Sequence, residues 1–176
     1  MRKALTMLAA LVCMIALPAI AQENSKAEIF GGYQYTRINP GSGASSENFN
    51  GWNTAFTANL NQWLGVTADI SGAYKDFSGV SAKEHNFLFG PTVSYTNSEK
   101  VKPFAHVLFG VSHAGAGFSG IGVSDNAFAM AFGGGADVTL NKNFAVRVGQ
   151  FDYLMTRFGG DSQNNLRFST GVIYRF

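Results

Sequence analysis

Apolar and polar residues alternate along most of the chain, most regularly over its last twelve residues, Asn165–Phe176. There the even-numbered residues are mostly large and apolar, whereas the odd-numbered ones are mostly polar or small. A period of two is typical of a β-strand with one apolar and one polar face. The earlier segments repeat the pattern so regularly that no second layer is left to cover the apolar faces. We therefore expect these faces to contact lipid, which requires the strands to close into a barrel that pairs their backbone groups.

The same alternation defines eight segments. They are Ala27–Arg37, Gly51–Leu60, Leu64–Tyr74, Glu84–Tyr95, Val101–His113, Asn126–Leu140, Phe144–Met155 and Asn165–Phe176. Tight turns join some neighbours, and four polar or glycine-rich stretches predict exposed loops. The predicted loops are Ile38–Asn50, Lys75–Lys83, Ala114–Asp125 and Thr156–Asn164.

Long and short connections alternate along the chain, and an even number of strands puts both termini on the side of the short turns. The sequence therefore predicts an all-β fold, an eight-stranded antiparallel up-and-down transmembrane β-barrel. We expect it in the outer membrane of a Gram-negative-type cell, with both termini in the periplasm. A soluble, lipocalin-like barrel needs an apolar interior instead, and charged residues at inward positions argue against it.

The first twenty-one residues have the pattern of a cleaved export signal. Arg2 and Lys3 precede the apolar run Ala4–Leu17, and Ala19 and Ala21 form a small-x-small cleavage site. An uncleaved membrane anchor is the alternative, but the apolar run is short for one. The predicted organisation is a signal peptide at 1–21 and a barrel domain at 22–176.

The composition of the chain adds information on its hydropathy and on its charge. Hydrophobic residues make up 46% of the chain, yet the mean hydropathy is only +0.04, as expected for alternating strands. Removing Arg2 and Lys3 from the 13 basic residues leaves 11, equal to the 11 acidic ones. A neutral mature chain gives no support for nucleic-acid binding. Cys13, the single cysteine, is lost with the signal, so disulfides are not expected.

Charged residues at inward positions are the most informative candidates. If three residues form the turn after Leu140, counting back from it places Asp137 opposite Arg147. The alternation slips in the seventh segment, which predicts a β-bulge after Gly149 and turns Asp152 inward. The inward candidates are Asp69, Asp137, Arg147, Asp152 and Arg167. We interpret them as a structural network that fills the bore; a gated ion path is the alternative.

Three further patterns give little support for catalysis or a cofactor. Gly115, Gly117 and Gly120 spell the dinucleotide fingerprint GxGxxG, but no helical pattern follows to bind the phosphates. The three histidines are not spaced as metal ligands on one strand. Ser112 and His113 could serve a lipid A hydrolase together with Glu84, yet adjacent residues of a strand point to opposite faces. We therefore expect no enzyme activity, no metal and no cofactor.

Aromatic residues cluster near the predicted strand ends. They are Tyr33, Tyr35, Trp52, Trp63, Tyr74, Tyr95, Phe144, Tyr174 and Phe176. Such residues are typical of the two aromatic girdles that lie at the membrane interfaces.

Several short stretches resemble the family of small outer-membrane β-barrel proteins related to the OmpA membrane domain and OmpX. They are Gly31–Tyr33, Pro103–His106, Gly133–Asp137, Phe151–Leu154 and the closing Tyr174–Phe176. The resemblance spans about Ala27–Phe176. It implies that the barrel-assembly machinery recognises the terminal aromatic signal, Tyr174 and Phe176.

Without a defensible catalytic set, the expected function is structural or surface-interaction work of an adhesion type. A narrow pore for ions or small solutes and a lipid A-modifying enzyme are the alternatives. The expected partners are outer-membrane lipid, the assembly machinery and an extracellular ligand bound through the loops. We expect a monomer.

Overall fold

The computed structural model describes residues 26–39, 45–77, 80–96, 98, 100–118, 121–158 and 161–176. They form a closed barrel in which each strand pairs antiparallel with the next and β8 pairs with β1, so the predicted fold is confirmed. No helix in these ranges is long and apolar enough to cross a membrane. The strands are β1 (Ala27–Ile38), β2 (Glu47–Asn59), β3 (Leu64–Phe77), β4 (Val80–Ser94), β5 (Val101–Phe118), β6 (Ile121–Thr139), β7 (Phe144–Phe158) and β8 (Asp161–Arg175).

The seam between the first and last strands is closed by regular pairing. Ile29 lies opposite Tyr174, and the register continues to the pair Arg37 and Leu166. Beyond the strand ends, the amide of Phe176 donates to the carbonyl of Ala27 at 2.9 Å. The C-terminal residue therefore takes part in closing the barrel.

The alternation in the sequence separates the two faces of the wall. Large apolar side chains are exposed on the outside, for example Phe89 and Phe151, which are 61% and 69% exposed. Many polar side chains are buried inside, and Gln34 and Ser112 have no exposed surface. An apolar outside around a polar inside is the arrangement of a transmembrane barrel.

A bulge interrupts the wall next to the position that the sequence predicts, at Val148 and not after Gly149. The β6–β7 register shifts between Ala136 and Asp137, and the β7–β8 register shifts between Arg147 and Gln150. The inserted residue Val148 faces outward, and Gln150 is buried. This confirms the predicted slip in parity, which turns the following polar residues of β7 into the bore.

The predicted long loops are corrected by the structure, because the strands continue through most of them. Outside the membrane a strand has no need of one apolar face, so polar and glycine-rich stretches can pair without alternating. Small residues in β5 and β6 pair in register up to Phe118 and Ile121. Strand residues replace most of three predicted loops and the end of the first: Lys75–Phe77, Val80–Lys83, Ala114–Phe118, Ile121–Asp125, Thr156–Phe158, Asp161–Asn164 and Glu47–Asn50.

We call the end of the barrel where β1 begins, β8 ends and the short turns lie the terminus end, and the opposite end the hairpin end. Two turns at the terminus end share one device: the side-chain oxygen of Asn61 accepts hydrogen bonds from the amides of Trp63 and Leu64 at 2.9 and 2.8 Å. Asn141 does the same for Asn143 and Phe144. An asparagine that caps its own turn holds the connection tight.

Candidate functional site

The centre of the bore is occupied by Arg167, whose fully buried side chain crosses from β8 to β3. Its Nε–H donates to Oδ2 of Asp152 at 2.8 Å, and its Nη1–H donates to Oδ1 of Asp69 at 2.7 Å. Asp152 also contacts Nε2 of His106 at 2.8 Å. Asp69 accepts a hydrogen bond from the side-chain amide of Asn53 at 2.9 Å. Two carboxylates on opposite walls are thus bound to one guanidinium, the geometry in which charge-assisted bonds are strongest.

A second ion pair lies closer to the terminus end. Arg147 donates to both oxygens of Asp137, at 2.8 and 3.1 Å, and the two residues are directly opposite across β6 and β7. The rings of Phe30 and Phe104 lie 4.5 and 4.1 Å from the guanidinium carbon. Two aromatic faces and a bidentate carboxylate replace the water that the cation loses on burial.

Gln150 joins the two ion pairs. Its side-chain oxygen accepts from Nη1 of Arg147 at 2.6 Å, and its Nε2 donates to Asp152 at 2.7 Å. The structure therefore brings all five sequence-predicted residues of the charged network into one connected hydrogen-bonded cluster.

Sequence reasoning missed a separate ion cluster at the terminus end and two members of the connected cluster, His106 and Gln150. At the terminus end, Glu28 pairs with Lys102 at 3.0 Å and with Arg175 at 3.3 Å. All three side chains follow the inward parity of their strands, and so does His106. The alternation of inward and outward residues could therefore have identified these four residues. Identifying Gln150 also required the position of the bulge.

Two apolar layers flank the cluster of Arg167 and Arg147 in the bore. The layer towards the hairpin end consists of Leu88, Leu108, Ala129, Ala131 and Leu154. The layer towards the terminus end consists of Phe30, Ala55, Ala145 and Ile173. These apolar side chains help to fill a bore that is narrow in an eight-stranded barrel.

Glycine makes room for the central cluster. A Cβ atom added at Gly133 would lie 2.1 Å from the carbonyl oxygen of Phe151 and 2.3 Å from Oδ1 of Asp152. The closely packed strand next to Asp152 therefore requires glycine at this position.

The residues considered for catalysis are separated by the wall. Ser112 points into the bore and donates to Oε1 of Glu84 at 3.3 Å, whereas His113 contacts Asn126 at the outer surface through Nδ1 at 2.8 Å. A nucleophile and a base on opposite sides of a sheet cannot exchange a proton. Among the described residues no group of three or more histidine, cysteine or acidic residues could hold a metal ion.

The glycine fingerprint also lacks its structural context. Gly115 and Gly117 lie within β5, and β6 begins at Ile121, so a strand and not a helix follows. Gly120 is outside the described residues. A dinucleotide site of this kind requires a helix N-terminus after the glycines.

Exposed aromatic residues lie near both ends of the outer wall. Tyr33, Trp52 and Tyr74 form one group towards the hairpin end, where Nε1 of Trp52 donates to the hydroxyl of Tyr74 at 3.2 Å. The group at the terminus end comprises Trp63, Tyr95, Phe144, Tyr174 and Phe176. These positions are those of interfacial girdles.

The structure places the predicted assembly signal on this outer surface at the terminus end. The rings of Tyr174 and Phe176 meet edge to face, with centroids 4.9 Å apart, and both remain partly exposed. The predicted cleavage residues Ala19 and Ala21 lie outside the described residues.

The chain matches the family described as outer membrane protein beta-barrel domain over residues 7–176. No protein with a curated description is significantly similar to it in sequence.

Solved structures of small barrels share the fold. Ail, the attachment invasion locus protein of Yersinia pestis, superposes with a TM-score of 0.65 at 19% identity, over 87% of this chain and 99% of Ail. Neisserial surface protein A gives a TM-score of 0.75 at 13% identity, over 86% of this chain and 98% of its own. The N-terminal β-barrel domain of OprF from Pseudomonas aeruginosa gives a TM-score of 0.53 at 10% identity, over 87% of this chain and 99% of that domain. With the match over residues 7–176, the chain belongs to the family of outer-membrane β-barrel proteins.

Proposed function

We propose that the protein has a structural and surface-interaction role of an adhesion type, without catalysis. The observation that supports this role most directly is the filled bore: Arg167, Leu108 and Leu154 have almost no exposed surface. A wall closed by ion pairs and apolar layers provides stability and not a passage. The surface that remains for specific contacts is the part of the barrel beyond the membrane.

Strand length supports a projecting surface at the hairpin end. A tilted strand needs about 9–11 residues to cross the hydrocarbon, whereas β5 and β6 have 18 and 19 residues. Short turns and an aromatic group limit the projection at the terminus end. We therefore infer that the hairpin end faces the outside of the cell and both termini face the periplasm, as is usual for outer-membrane barrels.

The names of two structural relatives are consistent with this proposal. Ail is named attachment invasion locus protein, and a structure shows it in complex with the heparin analogue sucrose octasulfate. The Neisserial relative is a surface protein. These properties belong to those proteins, and for this chain they motivate an adhesion assay.

The assay compares adhesion of cells that display the protein or a shortened variant to immobilised extracellular-matrix proteins and heparin. The variant lacks residues 115–124 and joins Ala114 to Asp125, which are paired in β5 and β6, through Asn-Gly, the preferred two-residue hairpin turn. We expect the intact protein to increase adhesion and the shortened one to lose the increase. A matched control shortens a different hairpin, β7–β8. Equal adhesion with and without the intact protein would contradict the proposal.

Conductance distinguishes this role from the pore alternative. We expect purified protein in planar lipid bilayers to give no steady single-channel current, because Arg167 binds Asp69 across the bore and Asp152 on the neighbouring strand. A steady current that changes on Asp69→Ala or Arg167→Ala would instead identify an ion path.

A further inference from the structure

A cavity of about 580 Å³ opens at the hairpin end of the bore. Its walls are largely apolar and include Ile38, Phe49, Ala82 and Ala114. Glu84 lines its inner part, four residues along β4 from the start of that strand at Val80. We call this space the vestibule. It lies beyond the apolar layer of Leu88 and Leu108 and is separate from the Arg167 cluster.

Glu84 differs from the other acidic residues buried in the bore. Glu28, Asp69, Asp137 and Asp152 each have a cationic side chain within 3.0 Å. Glu84 is only 4% exposed, yet it forms no ion pair within the described ranges. The groups next to its carboxylate are neutral, the hydroxyl of Ser112 at 3.3 Å and the side-chain amide of Asn86, and Arg167 attracts it only from beyond ion-pair distance.

A buried carboxylate without a cation is costly, and the cost falls when a counter-ion arrives. We propose that the vestibule binds an organic cation, a primary ammonium or guanidinium group on an apolar stem, with Glu84 as its counter-ion. The cationic group would contact the carboxylate while the stem packs against Phe49 and the alanines. Burial of that stem adds hydrophobic stabilisation to the ion pair.

Other ligand classes fit the vestibule less well. An anion would meet Glu84 and also Asp125, which lines the same space. Lys83 is a lining residue too, but it belongs to the outward-facing parity of β4. A hard metal ion needs six or more oxygen ligands, and the described apolar walls do not supply them.

Two sources provide this cation, a free alkylamine and a lysine or arginine side chain of an extracellular protein. An extracellular protein can supply the cation only in the orientation proposed above. Binding of a cation by the purified protein does not depend on that orientation. A failed adhesion assay would therefore leave the vestibule site intact, and a failed binding assay would leave the adhesion role intact.

The test is an NMR titration of the isotope-labelled full-length mature protein in detergent micelles at mildly alkaline pH. The probe is n-hexylammonium, and 1-hexanol is the uncharged control. We expect n-hexylammonium to cause saturable shifts in the backbone signals of Ala82 and Ala114 that hexanol does not reproduce. Glu84→Gln keeps the shape and an acceptor for Ser112, and should weaken binding by roughly 30-fold or more.

Asp76→Asn is the matched control, because it makes the same change of charge at an exposed residue near the hairpin end; it should bind as the wild type does. Unboiled gel mobility checks that each variant is folded. Tighter binding of an acetylated Gly-Lys-Gly amide than of hexylammonium would indicate a protein side chain as the ligand, and the reverse order a free amine. Absence of shifts, or equal shifts in Glu84→Gln or with hexanol, would overturn the proposal.

Discussion

Replacing Arg167 with methionine is expected to lower the free energy of unfolding by about 3–5 kcal/mol, the usual cost of breaking a buried ion pair. The substitution leaves Asp69 and Asp152 in the bore without their common cation. Denaturant unfolding in lipid vesicles, followed by tryptophan fluorescence, measures the change. Arg157→Met is the control, because Arg157 is exposed on β7, and a surface substitution changes stability by about 0.5 kcal/mol or less.

A triple substitution separates the effect of charge from that of shape. Asp69→Asn and Asp152→Asn added to Arg167→Met remove the unpaired charges while keeping nearly the same volume. We expect the triple variant to recover most of the lost stability, because an uncharged group costs less to bury than an isolated ion. A triple variant as unstable as Arg167→Met alone would show that packing around the guanidinium matters more than its charge.

Deleting Phe176 is expected to remove most of the protein from the outer membrane of cells while leaving purified protein able to refold. The deletion removes two backbone hydrogen bonds at the β1–β8 seam, worth about 1 kcal/mol each, and the ring contact with Tyr174. The loss of stability from these contacts alone is modest. A much larger loss in cells, measured by heat-dependent gel mobility of membrane fractions, would support recognition of the terminal aromatic residue by the assembly machinery.

Phe176→Tyr provides the control for this deletion, because it keeps both an aromatic ring and the backbone bonds. We expect it to assemble as the wild type does. If the deletion variant reaches wild-type levels in the outer membrane, Phe176 is not part of an assembly signal.

The period-two pattern was sufficient to predict the barrel because burial in this fold depends almost entirely on which face of the wall a residue occupies. Counting back from the turn after Leu140 placed Asp137 opposite Arg147, since an antiparallel register follows from the turn length. The slip in β7 predicted the inward position of Asp152. These inferences need only local geometry.

The sequence was less informative where strands leave the membrane. Between Ala114 and Asp125 most residues are glycine, alanine, serine or aspartate, so the pattern indicated a loop although the backbone pairs as strand. The reach of Arg167 across the bore to Asp69 depends on the diameter and stagger of the closed barrel, which no single segment encodes. The vestibule likewise combines residues from several strands.

Continued pairing at the hairpin end also limits how this surface can change between strains. In a flexible loop almost any residue can be replaced, but successive residues of a paired strand belong to opposite faces of the wall. We therefore expect natural variation along this hairpin to follow a period of two, with variable outward positions alternating with restricted inward ones. With the orientation proposed above, an immune system that selects against this surface would meet variation in side chains on a backbone of nearly constant shape.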